Sequence, residues 1–153
     1  MHFIVPNDWN VVEDDLNEVI RAITLETPLD GFCMLDLYKL EQAPTLDGYI
    51  DNQMECFLEA LPFGFRMVDG PNKSRERARH EGREVFGVTV KSIIRSLFLR
   101  RHSDANSFFR IESDGYVGMC SLRCSGDSFL ALRPGFLQLL ESFRAEQPWQ
   151  GLS

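Results

Sequence analysis

The side chains able to do chemistry are few and scattered. Cys120 and Cys124 have three residues between them, a gap that a zinc site tolerates. A second ligand pair is missing, because His80 and His102 have no Cys or His within four residues. On a strand, positions 120 and 124 point to one side and would share a core face without metal. No metal and no cofactor are therefore expected. Nucleophilic catalysis needs a Ser or Cys beside a base that an acid orients. His80, His102, Cys120 and Cys124 are the first residues to consider for a small Cys/His enzyme. No local signature selects among them: there is no G-x-S-x-G, phosphate loop, G-x-G-x-x-G or H-E-x-x-H. His80-Glu81-Gly82-Arg83 resembles only the start of the last. Cys33 and Cys56 stand in apolar surroundings and read as buried small hydrophobes.

Carboxylates are the more ordered feature. Asp47, Asp51, Glu55 and Glu59 recur every four residues and would stack as one ridge on a helix. Like charges at that spacing oppose each other, and no Lys within the segment relieves them. A basic partner would. Glu13, Asp14, Asp15 and Glu18 form a second acidic group, and Tyr49 is expected to be an exposed aromatic anchor beside the ridge. The opposite sign gathers in Lys73, Arg75, Arg77, Arg79 and Arg83, followed by Lys91, Arg95, Arg100, Arg101 and Arg110.

The formal net charge of -7 hides this separation. Residues 1–70 carry a net of -11, residues 71–110 a net of +6, and residues 111–153 a net of -2. The acidic excess, three Glu within the basic segment and the absence of interleaved aromatics between residues 72 and 85 disfavour nucleic acid. The basic segment is expected to fold against the acidic half of its own chain.

Elements must position these groups. A chain of 153 residues with 44% hydrophobic residues and 12 Phe can build one core. Four Cys are too few for a disulfide framework. No apolar run approaches the roughly 20 residues of a membrane span, and no membrane partner is expected. Met1 to Pro6 lacks the charged and apolar regions of a secretory signal, so a cytoplasmic location is expected.

Phe3-Ile4-Val5 reads as a first strand. Val12, Leu16, Val19, Ile20 and Ile23 recur at helical spacing behind capping-type Asn7, Asp8 and Asn10, which predicts a helix over 10–25. Phe32 to Leu40 alternates as a central strand with Cys33, Leu35 and Leu37 on one face. For residues 46–61 length favours a helix over a strand. Phe63 to Val68 reads as a strand. Val90, Ile93, Ile94, Leu97 and Phe98 predict a helix to about Arg101. Phe108 to Ile111, Tyr116 to Leu122 and Phe129 to Leu132 predict a β-meander, and Pro134 the first turn of a last helix. Residues 147–153 form a tail that either docks through Trp149 or stays flexible.

The expected fold is thus a single α+β domain over 1–153, a mixed or antiparallel sheet with a late meander, packed by three to four helices. The expected function is binding or inhibition of a protein with a basic surface, by analogy of size and charge with immunity proteins that mask a toxin's active site. The alternative is the small Cys/His enzyme. A homo-oligomer whose acidic and basic faces pair is a third expectation.

Overall fold

The computed structural model describes residues 1–17 and 20–145. Its elements are β1 (Asn10–Leu16), β2 (Ile20–Glu26), β3 (Phe32–Lys39), a short helical turn at Leu40–Gln42, α1 (Leu46–Glu59), β4 (Arg66–His80), β5 (Arg83–Arg95), β6 (Arg101–Ser113), β7 (Tyr116–Ser125) and α2 (Phe129–Ser142). The strands form one seven-stranded sheet in the order β1-β2-β3-β7-β6-β5-β4, and every neighbouring pair is antiparallel. Two meanders, β1 to β3 and β4 to β7, are joined where β3 pairs with β7.

α1 carries the chain from β3 to the far edge strand β4. Thr45 caps it, its hydroxyl accepting from the Gly48 amide at 3.1 Å. Such a cap contributes about 1 kcal/mol. Tyr49, Ile50, Met54 and Phe57 of α1 pack on Val90, Ile94, Phe108, Val117 and Met119 of the sheet. α2 covers the opposite face: Phe129, Leu132, Phe136, Leu139 and Leu140 join Ile23, Leu25, Leu35, Leu37, Phe109 and Leu122 in the larger core. Phe136 meets Phe109 edge-on, with ring centroids 6.0 Å apart. Being covered on both faces, the central strands carry apolar residues at both parities.

Hairpins at one end of the sheet turn through Glu81-Gly82 and Asp114-Gly115, with φ of 50° and 76°, and 50° and 81°. Two successive left-handed residues suit the twist of a two-residue hairpin, and glycine at the second position adopts that conformation without strain.

The expected three to four helices are corrected to two among the described residues, and the fold is mostly β. Residues 10–25 form no helix but the strands β1 and β2. Arg21, Ile23 and Leu25 alternate inward there, and the charged Arg21 hides the period of two in the sequence. Asn17 ties the end of β1 to the start of β2: its amide donates to the Ile20 carbonyl and its side chain accepts from the Ile20 amide. Residues 90–101 are the end of β5 and a hairpin tip. Phe129 to Leu132 is the start of α2, which places Pro134 inside that helix. Phe3 to Val5 forms no strand; His2 bridges Arg144 instead. Glu18 and residues 147–153, with Trp149, lie outside the described residues.

Candidate functional site

The antiparallel order brings six connections to two ends of the sheet. The end with the Glu81-Gly82 and Asp114-Gly115 hairpins also carries Asn17 and Glu41 and is mainly polar, Leu16 and Leu40 being its half-exposed apolar side chains. The other end gathers the β2–β3 turn, the segment between α1 and β4, the β5–β6 hairpin and the passage from β7 into α2. Among the described residues, the six most exposed large apolar side chains all lie there: Phe63 at 96%, Phe98 at 84%, Leu130 at 81%, Leu29 at 71%, Leu99 at 69% and Leu97 at 57%. Scattered exposed leucines need no explanation, but six gathered at one end mark an interaction surface.

The hairpin tip is a tight turn. The Ser96 amide donates to the Arg100 carbonyl at 2.8 Å, and the Leu99 amide to the Ser96 carbonyl at 3.0 Å. Leu99 is held at φ 63°, a left-handed conformation that costs a non-glycine residue about 1 kcal/mol. The segment preceding β4 rests on this tip: a Cβ on Gly64 would stand 2.6 Å from Leu97 Cδ1. Phe63 and Leu97 to Leu99 are therefore one patch. Behind it three arginines stand abreast, since Arg66 pairs with Arg95 and Arg95 with Arg101 across β4, β5 and β6. Like charges directly opposed destabilise a sheet. None of these, nor Arg100, forms an ion pair among the described residues.

A cleft of about 490 Å³ continues from the patch toward α1. Phe57, Leu61, Phe65, Ile94 and Phe32 give it apolar walls, and Asp30, His102, Asp104 and Arg123 give it polar groups. This size and mixture suit a binding cleft. The Arg123 guanidinium lies 4.2 Å from the centre of the Phe57 ring and 4.0 Å from Asp104. Burial raises the Asp104 carboxyl above its ordinary range, against the pull of Arg123 and a hydrogen bond from Asn106. Burial also works against the charge on Asp30, but hydrogen bonds from Ser125 and Ser128 outweigh it and hold that carboxyl low.

The residues singled out in the sequence are placed differently. Asp47, Asp51, Glu55 and Glu59 do lie exposed along α1, but Asp51 accepts from Lys73 of β4 at 3.3 Å. Both partners are exposed, so the pair is worth under about 1 kcal/mol. Tyr49 is no surface anchor: it is buried, and its hydroxyl donates to Asp36 at 2.6 Å. Asp14 is paired fork-to-fork with buried Arg21, at 3.0 and 2.9 Å. Glu13 and Asp15 are exposed on the edge strand β1.

The basic segment meets the acidic half of the chain at α1, through Lys73 and Asp51, but not at β1, because β1 and β4 are opposite edges of the sheet, roughly 29 Å apart at the usual strand spacing. The Arg75 guanidinium lies over Phe86, 3.7 Å from the ring centre.

Of the Cys/His set, His102 and Cys124 both lie on the wall of the cleft, beside Asp104, while His80 and Cys120 lie elsewhere. His80 is buried, and its Nε2–H donates to the Phe143 carbonyl at 2.7 Å. Cys33, Cys120 and Cys124 are buried, and burial pushes the Cys124 thiol up to about 12 and the other two well up. A thiol so held is almost never the thiolate that attacks. Cys56, expected to be buried, is exposed on α1. Among the described residues no three His, Cys, Asp or Glu could hold a metal.

The apolar end was missed because Leu97 and Phe98 fit a helical stripe. The available signal was three large apolar residues in a row against Arg100-Arg101.

No protein-family model matches the sequence, and no curated protein matches it. Among solved structures, the cyanobacterial PsbP (CyanoP) of Synechocystis sp. PCC 6803 is similar at 13% identity, over 90% of this chain and 81% of that one, with a TM-score of 0.47. LpqN of Mycobacterium tuberculosis, described as involved in cell envelope biogenesis, is similar at 15% identity, over 91% of this chain and 79% of that one, with a TM-score of 0.40. No comparison supports an immunity protein, the expected anchor Tyr49 is buried, and Asp51 of the ridge is already paired with Lys73, so the expectation of a toxin-masking inhibitor is corrected.

Proposed function

We propose that this chain is a binding module whose working surface is the apolar end of its sheet. One observation carries the proposal: six large apolar side chains are exposed at that end and none at the polar end opposite exceeds them. Exposing such groups to water is unfavourable, and they contribute only when something covers them. The adjoining cleft, walled by Phe57, Leu61 and Phe65, extends the same surface inward. In the cleft, Cys124 stands with His102, but burial pushes that thiol up to about 12, which favours binding over thiolate chemistry there.

The test uses the fluorescent apolar probe anilinonaphthalene sulfonate on the folded chain. The probe binds the wild type, and the double variant Phe63→Ser, Phe98→Ser loses most of the signal with an unchanged unfolding midpoint. Equal probe binding by the two proteins contradicts the proposal.

A further inference from the structure

The arginines behind the hairpin tip narrow the partner, on the premise that the apolar end is the working surface. We infer that this end docks onto an anionic membrane surface, with the tip side chains entering the interface and the arginines meeting the headgroups. Three features converge on a lipid surface. The apolar side chains come from four separate connections, so they are spread across an end of the sheet and do not line one groove. Phe63, Leu97, Phe98 and Leu99 supply the aromatic and aliphatic groups that an interfacial anchor inserts. Arg66, Arg95, Arg100 and Arg101 surround that patch without ion pairs among the described residues, whereas the chain as a whole carries -7. Positive charge concentrated at the apolar tip of an acidic protein complements anionic headgroups and turns that tip toward them.

This end also holds carboxylates: Glu26, Asp30 and Asp127 near Leu29 and Leu130, Glu59 at the end of α1, and Asp69 and Asp104 on the adjoining strands, whereas the hairpin tip from Ser96 to Arg101 has none. The hairpin side is therefore the one that leads. A row of three opposed arginines is unfavourable in the isolated sheet, and a negative surface relieves it. The expectation of no membrane partner rested on the length a span needs, which a surface contact does not need.

The experiment is co-sedimentation of the full chain with vesicles of phosphatidylserine in phosphatidylcholine, and with phosphatidylcholine alone, at low and high salt. The chain sediments with the anionic vesicles only, and salt releases it. Arg95→Gln with Arg101→Gln weakens binding roughly thirtyfold, at about fivefold for each charge near the surface. The same positions as Lys restore it, since headgroup attraction needs the charge and not the guanidinium. Phe98→Ser with Leu99→Ser abolishes sedimentation at an unchanged unfolding midpoint.

Binding to neither vesicle, or equal and salt-insensitive binding to both, overturns the inference. So does a dimer in sedimentation velocity that the Ser variants dissolve, because a second copy would then be the cover. In each of those cases retained binding of the fluorescent probe leaves the apolar working surface standing. Loss of both removes both.

Discussion

Tyr49 shows how a single side chain decides what a surface can do. Its position beside the acidic ridge suggests an anchor, yet the helix turns it into the sheet, where it satisfies Asp36. Burial raises the Asp36 carboxyl above its ordinary range, only partly countered by the Tyr49 hydroxyl. A carboxyl whose pKa is raised on folding holds its proton more tightly in the folded state, so its contribution to stability fades as pH rises through the folded value. Stability measured by urea unfolding should therefore favour the wild type over Asp36→Asn progressively more as pH falls from neutral into the carboxylate range. A gap that widens the other way contradicts the assignment. Tyr49→Phe leaves the buried carboxyl without its partner and should destabilise the fold by about 1–3 kcal/mol.

At the scale of elements, the outcome depended on whether a pattern had one reading. α1 was legible in part: length and an apolar stripe favoured a helix over a strand for residues 46–61, while the Thr45 cap that starts it went unread. β3 was legible as well, because Cys33, Leu35 and Leu37 alternate without interruption. Residues 10–25 were not, because Asn and Asp serve turns as readily as caps, and the inward Arg21 breaks the alternation of β2. The β5–β6 hairpin was illegible for a different reason. Periodicity finds apolar residues that are covered, and Leu97 to Leu99 are not. Their turn also breaks local preference, since Leu99 sits at φ 63° where Asn or Gly is favoured. Leu99→Asn should therefore stabilise the chain by up to about 1 kcal/mol, read as a higher thermal midpoint, while weakening membrane docking. A lower midpoint would mean that the tip is not strained.

Across the whole molecule, the sheet order turns a division of charge along the sequence into a division in space. Glu13 and Asp15 occupy one edge strand, and Arg75, Arg77 and Arg79 the other. Their charges also protect both edges from pairing with another chain. The ends of the sheet divide by polarity, which net charge and composition cannot reveal: polar hairpins at one end, exposed Phe and Leu with arginines behind them at the other. That second division could be seen only once the topology had brought distant connections together.

The most direct test is backbone amide hydrogen exchange of the full chain with and without phosphatidylserine-containing vesicles. Docking through the apolar end predicts slowed exchange at residues 62–66 and 96–101, with β1 and the exposed face of α1 from Asp47 to Glu59 unchanged. Slowing centred on the α1 ridge, with the hairpin tip unaffected, would contradict it.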